Sequence, residues 1–443
     1  MSNPPDPLAP LRSRGYLGLL VVAAVIGVLV SALAYLFLAV VSKVQRWVFT
    51  TLPHQVGFGS EPLWWPVPAL VLAGILVALA IRYLPGRGGH SPADGFSAGQ
   101  GAPVPSELPG VILAALATLC LGVVLGPEAP LIAIGGGLGL CAVRLARRPV
   151  PERVSAVVAA AGSFAAISTL LGSPLIGAFL LMEASGLAGA TLEMVLLPGL
   201  VAAGVGSLIF IGLGDRTGLG TFSLALPNLP HVAAPNLAEF GWALVIGVAA
   251  ALLGTGIRRL ALWLRSRAEP RMLVATPVAG LAVAGLAIAY AAGTGKGSSD
   301  VLFSGQTAMG PLISHGASYT VAALVLLLAC KGLAYATSLS SFRGGPIFPA
   351  MFLGAVGGIA LSHLPGLELV PGVAMGIGAI SVVMLQLPLT SVLLPTLLLR
   401  SDSLAVTPLT IVAVVVAYVL SVRLAPAPRA DHPDRAVRQS EPV

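Results

Sequence analysis

Charge is what this sequence has least of. Asp, Glu, Lys and Arg make up 9% of its 443 residues, against about 25% in an ordinary soluble domain. So few charges cannot solvate a chain that is 56% hydrophobic, and a soluble globular protein is excluded. Cysteine is also scarce. Cys120, Cys141 and Cys330 stand in apolar runs at no metal-ligand spacing. They read as packing residues, not as a disulfide framework. His90, His315 and His363 are scattered and show no metal spacing either. Gly293-Thr294-Gly295-Lys296-Gly297 lacks the first glycine of a Walker phosphate loop and the Ser or Thr that should follow. Lys296 is expected to be a solvated loop charge. No pattern points to an enzyme, a metal or a cofactor. A cleavable signal peptide is not expected, because the apolar stretch 15–41 is too long and lacks a cleavage site.

Long apolar runs, 53 glycines and 36 prolines are what the sequence has instead. They predict an all-α polytopic membrane protein with about ten or more spanning or re-entrant segments of about 20 residues each, many broken or closely packed. The net charge of +7 lies in short clusters and is no signal for nucleic acid. The clusters are Arg12 and Arg14; Arg82 and Arg87; Arg144, Arg147, Arg148 and Arg153; Arg258, Arg259, Arg265, Arg267 and Arg271; and Arg423, Arg429, Arg435 and Arg438. Such clusters read as cytoplasmic. The loops 50–65 and 212–240 carry few basic residues and read as external, which puts both termini inside the cell membrane. The expected organisation is a disordered cytoplasmic N-terminus (1–15), a first membrane repeat (16–213), an external linker (214–236), a second membrane repeat (237–424) and a disordered cytoplasmic tail (425–443). Trp64 and Trp65 read as anchors at the lipid interface.

Glu128 is the most informative residue. It is the only charged side chain between Glu107 and Arg144. A carboxylate in hydrocarbon costs roughly 2.5–3.5 kcal/mol or more, so an intramembrane acid marks a functional site by default. Gly126-Pro127-Glu128-Ala129-Pro130 combines a helix breaker with a helix starter. The chain is expected to stop in mid-membrane and restart near Ala129, and free N–H groups at such a start can hold an anion. Glu128 either gates that site or caps its own helix. Lys331, within an apolar stretch, is expected to snorkel or to pair with an acid.

A faint internal repeat supports two inverted halves. The run 126–139, GPEAPLIAIGGGLG, resembles 344–357, GGPIFPAMFLGAVG, and 173–183, SPLIGAFLLME, resembles 387–397, LPLTSVLLPTL. Short Gly/Pro-interrupted segments at matching positions point to a transporter with its site at the midplane.

Four blocks resemble the CLC family of chloride channels and chloride/proton antiporters, in the family's order, and the likeness covers roughly residues 16–424. Gly126-Pro127-Glu128-Ala129-Pro130 followed by Ile134-Gly135-Gly136 resembles the block carrying the gating glutamate. Gly88-Gly89-His90-Ser91-Pro92 is similar in position to the G-S-G-I-P block. Gly344-Gly345-Pro346-Ile347-Phe348-Pro349 resembles G-x-F-x-P. Ser173-Pro174-Leu175 with Gly177 and Glu183 resembles the block that ends in internal acidic residues. The resemblance implies a CLC-type inverted repeat, a homodimer, and one pathway per subunit for chloride or a similar small anion. It implies Glu128 as gate, and an anion site built by Gly88, Gly89, His90, Ser91, Gly126, Pro127, Ala129, Gly345, Pro346, Ile347 and Phe348. His90 either lines the inner mouth or is a satisfied loop histidine. The dimer contact would fall on 174–213 and 388–424.

Several positions depart from the family pattern. Gly89 stands where members often place a serine hydroxyl. Pro127 replaces a basic residue, for which Arg343 either substitutes as a pathway charge or is a solvated loop charge. Ile347 aligns with the phenylalanine of its block, and Phe348 is one position off. No tyrosine follows residue 424, and Tyr418 reads as packing. Ala184 aligns with the inner proton-transfer glutamate, beside Glu183. Alanine carries no proton, so the expectation leans to a passive channel, with Glu183 as the possible proton path of an antiporter. A non-conducting structural or sensory relative is the alternative of another class.

Three helix starts, at Ala129, Pro346 and Pro92, are expected to aim their partial positive charge at one place, where Glu128 competes with the anion. Protonating Glu128 would free the site, so low pH should increase flux.

Overall fold

The computed structural model describes residues 12–96, 101–145, 150–186, 189–218, 234–399 and 403–425. Most of the expected N-terminal lead, nearly all of the tail, the middle of the linker, and Arg147, Arg148, Arg429, Arg435 and Arg438 lie outside the described residues. The helices in chain order are α1 (Arg14–Arg46), α2 (Leu52–Gln55), α3 (Pro66–Tyr83), α4 (Leu108–Cys120), α5 (Glu128–Leu145), α6 (Glu152–Leu171), α7 (Pro174–Ser185), α8 (Gly189–Thr217), α9 (Leu237–Ala268), α10 (Met272–Thr294), α11 (Gln306–Ser314), α12 (Val321–Ser341), α13 (Ile347–Leu361), α14 (Leu369–Leu385), α15 (Pro388–Leu399) and α16 (Ser403–Leu424). The expected lead and linker are therefore shorter than read, because α1 already starts at Arg14 and α8 runs to Thr217. Among the described residues, eight helical stretches are long and apolar enough to cross a membrane. The helices α4, α7, α13 and α15, at 13, 12, 15 and 12 residues, are not. A rise of about 1.5 Å per residue leaves them short of a hydrocarbon core about 30 Å thick. The chain is a multi-pass membrane protein with broken and re-entrant helices.

One packing pattern occurs twice. In the first half α6 lies against α1, α5, α7 and α8, and α1 against α8; in the second, α14 lies against α9, α13, α15 and α16, and α9 against α16. Matching glycines make matching seams. A Cβ on Gly135 of α5 would come within 2.4 Å of the Gly162 carbonyl oxygen on α6, and one on Gly354 of α13 within 2.3 Å of that of Gly376 on α14. Gly139 against Val158 and Gly358 against Gly372 repeat the contact, at 2.6 and 2.2 Å. Only glycine lets backbones approach so closely, and such approach is how apolar helices gain packing energy where no water drives them together.

These seams also correct the register of the repeat by one residue. Gly126, Pro127 and Pro130 correspond to Gly345, Pro346 and Pro349, so GPEAP lies on GPIFP. Helices α5 and α13 then begin at equivalent positions, Glu128 and Ile347. Matching 126–139 to 344–357 is one residue out because of the doubled glycine, Gly344-Gly345.

Lys331 of α12 does not snorkel, and its hydrogen bonds go to backbone carbonyls. It is fully buried, and its Nζ donates to the carbonyls of Asp300, Val301, Leu302 and Phe303 at 3.0, 3.0, 3.1 and 3.4 Å. It also sits 4.3 Å from the ring centroid of Phe352. The loop it holds is further fixed by Tyr290 and Tyr319, whose hydroxyls donate to Asp300 Oδ2 at 3.0 and 3.3 Å. Burying a lysine is tolerable when its protons meet acceptors. Lys296 is not simply solvated: it lies 3.6 Å from the ring centroid of Tyr319, a cation–π contact.

Candidate functional site

The site is made where both repeats break. Helix α4 ends at Cys120 and α5 starts at Glu128; α12 ends at Ser341 and α13 starts at Ile347. The two breaks join as a two-residue antiparallel bridge. The Gly126 N–H donates to the Gly345 carbonyl at 2.8 Å and the Gly345 N–H to the Gly126 carbonyl at 2.6 Å. Equivalent residues exchanging equivalent bonds is what an axis between two inverted halves requires. The bridge satisfies backbone groups that the missing helical turns leave open and brings the N-termini of α5 and α13 together. Ser338 Oγ accepts from the Val124 N–H at 3.3 Å, and Tyr335 donates to the Pro346 carbonyl at 2.7 Å, both from α12.

Glu128 stands in the first turn of α5 but does not cap it alone. The side chain crosses to the other repeat, where Oε1 accepts the Phe348 N–H of α13 at 2.7 Å. It is fully buried, and Oε2 has no partner among the described residues. Two glycines make room for it. A Cβ on Gly345 would lie 1.8 Å from Oε2, and one on Gly126 2.2 Å from it. A carboxyl group therefore already occupies the head of α13, where the helix end is partly positive.

A cavity of about 1020 Å³ reaches this point from one side. It is lined by Gly88, Gly89, His90, Ser91, Ala129, Pro130, Arg343, Gly344 and Pro346, with α6 and α7 supplying Ser155, Ala159, Ser163, Leu181 and Met182. The three sequence blocks thus meet at one space. Gly126, Glu128, Gly345, Ile347 and Phe348 are buried beyond its end and do not line it. Pro127 is buried in the break itself. Arg87, Arg343, Glu107 and Glu152 all border the cavity, so its formal charge is balanced and its donors must do the selecting.

The third helix start is a correction. Pro92–Asp94 is a single 3-10 turn closed by Gly95 at φ 96°, and α4 begins only at Leu108. The preceding loop needs a left-handed backbone at Gly88 and Gly89, φ 71° and 89°, which glycine takes without strain. Two helix N-termini converge here, not three. Two residues after Gly89, Ser91 lines the cavity, and its Oγ is buried without a partner among the described residues. His90 is exposed at the mouth.

Arg343 is no solvated loop charge. It is partly buried, with Nη1 donating to the Phe342 carbonyl at 3.2 Å and Nε buried without a partner among the described residues. Ile347 and Phe348 are both fully buried in the first turn of α13. Glu183 lies elsewhere, at the start of α15. Its carboxylate accepts the N–H groups of Leu389 and Thr390, each at 2.8 Å, and the Thr390 hydroxyl at 2.7 Å. Tyr418 packs against the core, as read. Tyr335 was missed by sequence reasoning. One tyrosine in a long apolar helix gives no signal beyond the rule that a buried hydroxyl needs a partner.

The family model described as "Voltage gated chloride channel" matches residues 73–422. Among curated proteins, Escherichia coli relatives named YfeO, whose ascribed role is ion transport, are 30% identical over 365 residues, covering 80% of this chain and 81% of theirs. Two solved structures share the fold. A slow cyanobacterial Cl⁻/H⁺ antiporter aligns with a TM-score of 0.74 at 18% identity, over 93% of this chain and 95% of its own. A CLC-type fluoride/proton antiporter aligns with a TM-score of 0.62 at 19% identity, over 91% of this chain and 95% of its own.

Proposed function

The chain belongs to the voltage-gated chloride channel (CLC) family, whose members move anions across membranes, and on that premise we propose that it conducts chloride or a similar small anion past Glu128 as a gated passive pathway. The observation that carries this reading is the Glu128 carboxylate seated on the Phe348 N–H at the head of α13. An anion needs fixed donors that do not hold it too tightly, and helix N-termini with about half a positive charge each provide them. With the carboxylate in place the donors are taken and the vestibule is blind. Protonation removes its charge, frees the donors and lets an anion from the vestibule take its place. The vestibule, walled by Arg87 and Arg343, is the cytoplasmic mouth, and both termini lie on that side. Ser91 supplies the hydroxyl that Gly89 lacks. The two repeats are 14–217 and 237–424. Two copies form a homodimer through α7, α8, α15 and α16, each with its own pathway within the lipid bilayer.

Passive conduction is favoured because Ala184 carries no proton and the carboxylate oxygens of Glu183 are occupied by three donors. Coupled exchange is the second reading, favoured by the two solved structures described above being named as proton antiporters. The test is chloride efflux from proteoliposomes with external pH recorded at the same time. Efflux without proton movement is the expected result; efflux that drives protons uphill would make the protein an antiporter. In Glu183→Gln, which halves the acceptor capacity at α15, efflux should persist while stability falls by about 1–3 kcal/mol, read as a lower Tm in detergent. Loss of efflux at unchanged Tm would return Glu183 to the pathway.

A further inference from the structure

The vestibule serves one face of the site, and the loop 295–305, between α10 and α11, covers the other. The Arg265–Asp94 ion pair sets the α9–α10 turn beside the vestibule. The 23 residues of α10 then carry the chain about 35 Å further, to the opposite side. In the repeat this loop is the counterpart of 84–95: one leads from α3 to α4, the other from α10 towards α12. None of 295–305 lines the vestibule.

The deep end of the loop touches both halves of the site. The Phe303 N–H donates at 3.1 Å to the carbonyl of Gly122, two residues past the end of α4. A Cβ on Gly122 would come within 3.0 Å of Phe49 and 3.6 Å of Leu302, so the loop lies flat against that break. A Cβ on Gly305 would stand 2.6 Å from the ring of Phe352, one turn beyond Phe348 on α13. Val301 and Leu302 are fully buried. The Phe303 ring meets Phe49 edge-on, with centroids 5.0 Å apart.

This end is held, not merely packed. Phe303 has φ 59°, a left-handed backbone that a bulky residue keeps only where its surroundings impose it. The Gly122 carbonyl fixes its N–H, and Lys331 Nζ gathers the carbonyls of residues 300 to 303. The shallow end is anchored separately. Asp300 takes the hydroxyls of Tyr290 and Tyr319, and Ser298 Oγ donates to Glu61 Oε1 at 2.8 Å.

We propose that 301–305 is the outer lid of the pathway and that Lys331 is the positioning residue that latches it shut. This rests on the anion-transport reading above, and it adds a second barrier beyond Glu128. An ion that takes the fully buried place of the carboxylate leaves outward when the lid lifts from Gly122 and Phe352. Without the ammonium, the carbonyls it gathers become buried acceptors short of donors. Such groups favour a conformation that gives them water, which here is the lifted one.

The test uses the full chain in proteoliposomes, with Glu128→Gln as the parent so that the carboxylate's charge no longer limits flux. Lys331→Met removes the donors at similar length. Phe303→Gly removes the ring, suits the left-handed backbone and leaves Lys331 in place, so it decides the matter if Lys331→Met does not fold. Chloride efflux is one readout. The other is the rate at which an external, membrane-impermeant methanethiosulfonate modifies the thiol added by Leu302→Cys, measured against the same chains without it. Lys331→Met should raise both severalfold, and Phe303→Gly should raise efflux severalfold. A lysine with a structural role alone would lower the Tm and move neither. Unchanged efflux in both variants, beside a conducting parent, overturns the lid and leaves the transport reading intact. Faster labelling without faster efflux also overturns it, because the loop then opens away from the ion's path. A parent without efflux defeats the transport reading and the lid with it.

Discussion

Glu128→Gln should raise anion efflux at neutral pH about tenfold and flatten its dependence on pH. Glutamine keeps the shape of the side chain and one acceptor oxygen, so the seat at Phe348 can still be reached. What changes is the charge. A hydrogen bond to a charged group is worth about 1.5–3 kcal/mol and a neutral one about 1 kcal/mol. A difference near 1.4 kcal/mol is tenfold in occupancy. In the wild type, the same release comes from protonation, so its efflux should climb toward that of the variant as pH falls. The variant has nothing left to titrate at this seat and should show little slope. Efflux assays across pH on both proteins check this. Parallel pH profiles would mean that some other group gates the path.

Gly345→Ala should have the largest effect in the opposite direction. The added Cβ would stand 1.8 Å from Glu128 Oε2 and 3.0 Å from the Ala129 N–H. It therefore evicts the carboxylate and also covers a donor that an anion would use. Overpacking of this kind costs roughly 1–3 kcal/mol, so efflux should drop by at least about fivefold. Adding Glu128→Ala to the same chain should not restore it, because the methyl group, not the carboxylate, is then the obstruction. Efflux at the wild-type level, from protein that is folded and inserted, would show that the carboxylate does not rest against Gly345.

Much of the arrangement was legible in the sequence, for reasons that differ by residue. Composition alone identified a membrane protein. The break that contains Gly126-Pro127 and the restart one residue from Ala129 follow from what glycine and proline do to a helix, although α4 already ends at Cys120. The isolation of Glu128 in an apolar run marked it as the charged group to explain. Other features depend on contacts between distant segments. That Glu128 also reaches the head of α13 cannot be read locally, because Phe348 arrives from the other repeat. The repeat's true register shows only once Gly135 meets Gly162 and Gly354 meets Gly376. Pro92 looked like a helix start, but the glycines at 86, 88, 89 and 95 keep that backbone in turns. Lys331 could be seen as anomalous, yet its four carbonyl partners come from a loop whose path no periodicity reveals.

The central claim is that the anion takes the place of the Glu128 carboxylate at the head of α13. The most direct test is the crystal structure of Glu128→Ala in bromide, read by anomalous scattering. A bromide ion within hydrogen-bond reach of the Phe348 N–H is the result this account predicts. A bromide-free α13 N-terminus, in a variant that still transports anions, would contradict it.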